Sequence, residues 1–201
     1  MTFIDAIDYI GTYAFALSGI KLAASKKFDL FGAFIAGGIT AIGGGTLRDL
    51  ILDLPPFWII DYSYLLITLI AMLSYIFLGR FFHCITNTLP IFDAIGLAFF
   101  TVVGIQKSLD TNIAIWAAII MGMFTGAAGG VLRDILLNDQ PMIFKDDIYA
   151  TACIVGGIAF AILYSLNIQS FIVQLISAIT VFVIRVLALK YKWRLPVMRK
   201  L

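Results

Sequence analysis

The chain has 201 residues, of which 62% are hydrophobic and 13% are charged, and its mean hydropathy is +1.03. A water-soluble domain of this length carries far more polar surface, so the composition excludes that class and indicates an integral membrane protein with lipid as its main solvent. The formal net charge of +2 is too small to indicate a nucleic-acid partner.

Seven apolar runs follow one another along the chain, separated by short polar segments. A helix needs about 20 mostly apolar residues to cross a bilayer, and these runs are continuous rather than alternating in polarity, which favours helices over barrel strands. We therefore predict an all-α integral membrane protein. No linker is long enough for a second domain, so residues 1–201 form a single membrane domain with spans near 4–24, 30–52, 62–80, 91–108, 112–137, 148–166 and 169–190.

Lysine and arginine residues are concentrated at one set of span ends, which predicts the orientation of the chain. The other set of ends carries Lys107. We expect a multi-pass protein of the cell (inner) membrane, with the N-terminus outside and the C-terminus in the cytoplasm, where a basic tail meets anionic lipid. The residues on the predicted cytoplasmic side are Lys21, Lys26, Lys27, Arg80, Lys145, Lys190, Lys192, Arg194, Arg199 and Lys200.

The sequence aligns with itself at an offset of 85 residues. From Asp8 to Pro56, 17 of 49 aligned positions are identical, and Asp61 and Tyr64 align with Asp146 and Tyr149. The identities fall mainly on polar residues and glycine, whereas chance similarity between apolar segments would fall on apolar positions. We predict two repeats, about 4–80 and 90–166, and a seventh helix outside them. Three spans per repeat is an odd number, so the repeats enter the membrane from opposite faces.

Small residues recur at every fourth position in the second and fifth spans, and each span then reaches a glycine cluster. The clusters are Gly43, Gly44 and Gly45 in the second span and Gly129 and Gly130 in the fifth. The stripes alone favour close helix packing. Consecutive glycines also weaken a helix, so we expect an interruption or kink in each span that turns carbonyl groups toward a water-filled path.

An Arg-Asp pair follows each glycine cluster: Arg48 with Asp49, and Arg133 with Asp134. A charge at the centre of a membrane helix costs about 2.5–3.5 kcal/mol, and adjacent residues on a helix do not face each other. Depth in the membrane therefore predicts that Arg48 pairs with Asp8 and that Arg133 pairs with Asp93. Such pairs either hold neighbouring helices together or take part in gating.

No catalytic set, metal-ligand cluster or cofactor fingerprint occurs in the sequence, so we expect no enzyme, no metal site and no cofactor. The polar groups inside the spans are mainly glycine backbone and hydroxyls, including those of Thr40 and Thr125. Neutral oxygens suit weakly held monovalent cations, although a small zwitterion could use the same groups. Lys107 either extends to the membrane surface or lines a pore.

The motif Gly-Gly-x-Leu-Arg-Asp occurs twice, at residues 44–49 and 129–134. Within seven predicted spans it resembles the prokaryotic relatives of the trimeric intracellular cation (TRIC) channels, over almost the whole chain. The resemblance implies a homotrimer with a potassium and sodium pore through each protomer, lined by the glycine-kinked second and fifth spans. The second cluster departs from the first at Ala128, which aligns with Gly43.

The same bacterial sequences also resemble a family named for glycine transport. We therefore predict a monovalent-cation channel, and a carrier of a small amino acid such as glycine is the alternative. A non-conducting structural membrane protein is the third possibility.

Overall fold

The computed structural model describes residues 3–84, 88–144 and 148–193, which form α-helices and one 3₁₀ helix, with no strand in these ranges. The predicted all-α fold is confirmed. Lys145, Asp146, Arg194, Arg199, Lys200 and the side chain of Arg80 lie outside the described part. The helices are α1 (Phe3–Ser25), α2 (Leu30–Ile51), α3 (Phe57–Ile60), α4 (Ser63–Cys84), α5 (Thr88–Leu109), α6 (Ile115–Leu136), α7 (Ala150–Ser165) and α8 (Ser170–Tyr191), and the 3₁₀ helix is Met142–Phe144.

Four of the described helices, α2, α5, α6 and α8, are long and apolar enough to cross a membrane. Helices α4 and α7 contain shorter apolar stretches, and α1 includes the charged residues Asp5, Asp8 and Lys21. The count of seven crossings therefore stays a prediction. The single-turn helix α3 was not predicted, because four residues are too few to show a periodic pattern.

Corresponding helices of the two repeats end in the same backbone geometry. Lys27 and Asn112 are 85 positions apart, and their φ angles are 62° and 60°. Asp53 and Asn138 have the same separation, with φ angles of 56° and 50°. A left-handed residue directly after a helix ends it and redirects the chain. The similarity between the repeats therefore extends from the sequence to the turns.

The centre of the molecule contains a contact between equivalent residues of the two repeats. Phe15 and Phe100 are both buried, and their rings meet edge to face with centroids 5.1 Å apart. A residue can touch its own symmetry mate only beside a twofold axis. The contact is therefore the one expected if the two repeats are related by a twofold axis, as the inverted repeat predicts.

Helices α2 and α6 cross with their backbones in contact. A Cβ atom on Gly44 would overlap the carbonyl oxygen of Thr125, and one on Gly129 would overlap the carbonyl oxygen of Thr40. Both helices continue through the crossing, and no glycine in the described ranges has a positive φ. The predicted interruption at the glycines is therefore not found, and the predicted kink stays a prediction. A membrane contains no water that could replace the backbone hydrogen bonds of a helix, so both helices keep them. Because glycine has no side chain, the two helices can also approach closely.

We expect Gly44→Ala to lower the free energy of unfolding by about 1–3 kcal/mol, because the added methyl group forces α2 and α6 apart. Gly38→Ala is the matched control on the same helix, since a Cβ there meets its nearest neighbour, the Thr68 methyl carbon, at 3.9 Å. Unfolding in mixed detergent micelles, followed by circular dichroism, measures both variants. Equal stability of the two would contradict the backbone contact.

Candidate functional site

The first candidate group, which we name the Asp8 cluster, consists of Asp8, Arg48, Asp49, Tyr64 and Lys107. The Lys107 ammonium lies 2.7 Å from Asp8 Oδ2, and the Tyr64 hydroxyl donates to the same oxygen at 2.9 Å. The Asp8 side chain is 4% exposed, whereas that of Lys107 is 29% exposed. The ion pair therefore lies at the edge of the buried region, with its cation partly open to solvent.

The predicted pair between Arg48 and Asp8 is not formed. Arg48 instead contacts its sequence neighbour Asp49, with its Nε and Nη2 atoms 2.8 and 2.6 Å from Asp49 Oδ1. The rule against neighbouring pairs describes the directions of Cβ atoms, whereas a long arginine side chain can fold back to the adjacent carboxylate. Asp8 pairs instead with Lys107, which belongs to the other repeat. Comparing residues within one repeat could not predict this contact.

The aspartate of each Arg-Asp pair also begins the next short helix. Asp49 Oδ2 accepts a hydrogen bond from the backbone N–H of Phe57 at 2.9 Å. In the second repeat, Asp134 Oδ2 accepts one from the backbone N–H of Met142 at 3.1 Å. Each carboxylate therefore binds the neighbouring arginine through one oxygen and fixes the following segment through the other.

The ring of Phe57 lies close to both cations of the Asp8 cluster. Its centroid is 5.7 Å from Arg48 Cζ and 5.1 Å from Lys107 Nζ, within the range of cation–π attraction. A pocket of about 370 Å³ adjoins this ring, and its lining includes both cations together with Asp49 and Asp110. This end of the molecule therefore presents a charged pocket.

Asp61, which lies between α3 and α4, adds a further carboxylate near this end. Its Oδ1 accepts from the backbone N–H of Ser63 at 2.9 Å, and its Oδ2 accepts from the Tyr9 hydroxyl at 2.8 Å. Hydrogen bonds from Ser63, followed by the one from Tyr9, hold the pKa of Asp61 below its ordinary value. A lowered pKa stabilises the fold above the ordinary pKa, and this contribution disappears as the pH falls through the lowered value.

The second candidate group, which we name the Asp93 cluster, consists of Asp93, Arg133, Asp134, Tyr149 and Arg185. Arg133 Nη1 lies 2.8 Å from Asp93 Oδ1, and Arg133 Nη2 lies 2.8 Å from Asp134 Oδ1. All three side chains are at most 3% exposed. Arg133 Nη1 also donates to the hydroxyl of Ser18 on α1. The predicted contact between Arg133 and Asp93 is therefore present, and it is buried.

Arg185 was missed by the sequence analysis, although a lone charge inside an apolar span is itself a signal of function. It lies on α8 and is fully buried. Its Nη1 donates to the carbonyl of Ile148 at 2.6 Å, and its Cζ lies 4.7 Å from the centroid of the Tyr149 ring. Its Nε and Nη2 atoms have no hydrogen-bond partner among the residues that the structure describes.

The two clusters lie toward opposite ends of the helices. Asp93 and Lys107 are near the first and last turns of α5, and 14 residues of helix span about 21 Å. The crossing of α2 and α6 lies between the clusters along α2 and α6, because Gly44 and Gly129 each precede the Arg-Asp pair of their helix. The arrangement is a helix crossing with charged groups beyond it on either side.

The predicted pathway threonines lie at this crossing. The hydroxyls of Thr40 and Thr125 each donate to a carbonyl of their own helix, both at 2.6 Å. Such back-bonding satisfies a hydroxyl inside a membrane helix and often bends that helix. The other glycines of the clusters make room for neighbouring side chains, Gly43 for Leu132, Gly45 for the ring of Phe57 and Gly130 for the hydroxyl of Tyr149.

Known proteins resemble this chain over nearly its whole length. A family model described as Glycine transporter matches residues 5–80 and again residues 90–165, the same offset as the internal repeat. The UPF0126 inner membrane protein YadS of Escherichia coli (strain K12) is 37% identical over 193 residues, which cover 94% of this chain and 93% of YadS.

Solved structures of TRIC channels have the same fold. One TRIC cation channel superimposes with a TM-score of 0.88 at 33% identity, covering 100% of this chain and 98% of that chain. The TRIC trimeric intracellular cation channel orthologue from Rhodobacter sphaeroides also gives 0.88, at 32% identity, covering 96% of this chain and 100% of that one. The resemblance inferred from the repeated motif is confirmed. These proteins indicate a multi-pass membrane protein of the channel or transporter kind rather than an enzyme.

We expect Asp93→Asn to destabilise the protein by about 3–5 kcal/mol, because removing one partner of a buried ion pair leaves charge without compensation. Asp8→Asn is the matched variant from the other repeat, and its cost should be smaller since water can solvate the partly exposed Lys107. Unfolding in mixed micelles compares the two. A larger loss for Asp8→Asn would contradict the difference in burial.

Proposed function

The chain belongs to the family described as Glycine transporter, and from that membership, the TRIC fold and the charged clusters we propose that it is a cation channel of the inner membrane. It conducts monovalent cations, potassium or sodium, and assembles as a homotrimer with one pathway in each protomer. Its N-terminus is outside and its C-terminus is cytoplasmic. The Asp8 cluster then faces outward and the Asp93 cluster faces the cytoplasm.

The observation that carries this proposal is the glycine crossing of α2 and α6 between two charged clusters. The backbones touch at the crossing, so conduction requires the helices to separate there. Glycine allows both the contact and a bend, since it has no side chain and resists bending less than other residues. Separation exposes the oxygens of Thr40 and Thr125, which suit a weakly held monovalent cation.

The ion pair between Lys107 and Asp8 is the contact in this pathway that breaks most easily. Its cation is partly solvated, whereas the partners of Arg133 are fully buried. When Lys107 leaves Asp8, the outer pocket gains an unpaired carboxylate that attracts a cation. Lys107 therefore acts as a gating charge that lines the pathway.

A glycine carrier is the second candidate, because the matching family model has that description. A carrier and a channel would require this fold to move in different ways. A carrier must open its two ends alternately around a bound zwitterion, whereas a channel opens both ends together.

Purified protein in planar bilayers with potassium chloride on both sides should give discrete current steps, because an open channel passes many ions per opening. Saturable uptake of labelled glycine into liposomes, without current steps, would reject the channel in favour of the carrier. Liposomes that stay tight to both solutes would favour a non-conducting structural protein. Native mass spectrometry of the same sample should give three copies of the chain.

Lys107→Gln should raise the ratio of open to closed channels by up to about fivefold, since a partly exposed ion pair contributes at most ~1 kcal/mol to the closed state. Lys27→Gln is the control, because Lys27 is an exposed lysine in the turn between α1 and α2. Single-channel recording gives the open probability of both variants. An unchanged or reduced open probability in Lys107→Gln would rule out the gating role.

A further inference from the structure

The two clusters contain the same kinds of residue, but their second cations come from different parts of the chain. Each contains two carboxylates, one tyrosine and two cations. The Arg-Asp pair, the other aspartate and the tyrosine are equivalent in the two repeats, whereas the second cation is not. That cation is Lys107 from α5 in the Asp8 cluster, and it is Arg185 from α8, outside the repeats, in the Asp93 cluster.

Arg185 also differs from the other three cations in its pairing. Arg48, Lys107 and Arg133 each lie within 2.8 Å of a carboxylate oxygen. Arg185 has no carboxylate within ion-pair distance among the residues that the structure describes; it contacts the Ile148 carbonyl and the Tyr149 ring instead. Within the described part of the chain, its buried positive charge therefore has no directly paired carboxylate.

We propose that Arg185 is a specificity-determining residue of the cation pathway, whose buried charge limits how strongly the cytoplasmic end attracts permeant cations. The inference rests on the proposed channel function and adds to it a residue from outside the repeats. Arg133 supplies one positive charge to Asp93 and Asp134 together. Without Arg185 the residues of the Asp93 cluster would therefore carry one net negative charge.

Tyr149 connects Arg185 with the carboxylates. Its ring lies under the Arg185 guanidinium, and its hydroxyl lies beside Gly130 together with Asp93 Oδ1, since a Cβ on Gly130 would be 2.7 Å from the hydroxyl and 3.4 Å from that oxygen. A unit charge roughly 10 Å away, at the effective dielectric constant of protein sites, changes the local concentration of a monovalent cation on the order of tenfold. Arg185 is close enough to act through this field.

The test compares Arg185→Gln, which can keep a hydrogen bond to the Ile148 carbonyl, with Arg185→Lys, which keeps the charge. In a potassium chloride gradient across a planar bilayer, we expect Arg185→Gln to shift the reversal potential toward potassium selectivity. Its unitary potassium conductance should also rise by about two- to tenfold at low salt and converge on wild type at high salt. Arg185→Lys should behave as wild type.

Lys190→Gln is the matched control, because it removes the same charge from an exposed position on the same helix. It should change the reversal potential less than Arg185→Gln at physiological salt. Wild-type selectivity in Arg185→Gln, or the same change in Arg185→Lys, would overturn the proposal. A wild-type protein without current steps would instead reject the channel itself, so the two failures are distinguishable.

Arg185→Gln combined with Asp93→Asn restores the balance of charge and keeps the proposal testable if the single variant does not fold. The double variant should fold and return to wild-type selectivity. A double variant that folds with increased potassium selectivity, or that fails to fold like the single one, would show that Arg185 does not act by balancing these carboxylates.

Discussion

The contact of α2 with α6 through Gly44 and Gly129 is the constraint on which the rest of the structure depends. Each glycine lies against a carbonyl of the opposite helix, and the two contacts are reciprocal, since they join equivalent residues of the two repeats. A twofold contact is self-complementary, so a single small-residue surface, once duplicated, supplies both sides of the interface. Phe15 and Phe100 are also equivalent residues in contact, and they bring α1 and α5 into the same central layer. Any side chain at the crossing would separate the two repeats.

The Asp8 cluster and the Asp93 cluster contain the same kinds of residue, but their ion pairs differ in strength. Arg133 binds two carboxylates and the hydroxyl of Ser18, all of them buried. The position equivalent to Ser18 in the second repeat is Val103, which offers Arg48 no hydroxyl. Breaking a buried pair costs several kcal/mol, whereas a partly exposed pair such as that of Lys107 costs about 1 kcal/mol or less. In the proposed channel, the Asp8 end would therefore open more readily than the Asp93 end.

The sequence predicted the helical fold and one of the two buried ion pairs, but it missed the contacts that cross between the repeats or come from outside them. Glycine, aspartate and arginine recurring at one offset in an apolar background indicated the repeat, the helices and the contact of Arg133 with Asp93. The partner of Asp8 comes from the other repeat and Arg185 comes from outside both, so neither could follow from comparing the repeats. The glycines were expected to interrupt or kink their helices because consecutive glycines weaken a helix. Inside a membrane, the loss of backbone hydrogen bonds costs more than glycine's flexibility gains.

The aspartate of each Arg-Asp pair connects movement at the crossing to movement at the cluster beyond it. Asp49 is on α2 beyond Gly44, and its carboxylate holds the backbone N–H of Phe57. The ring of Phe57 lies within cation–π distance of Arg48 and Lys107, so in the proposed channel a bend of α2 at Gly44 would shift this ring relative to both cations. Because Lys107 belongs to α5, such a bend would change its distance from the ring and disturb its contact with Asp8. Separation of the helices and release of the ion pair are for this reason parts of one motion in the proposed channel.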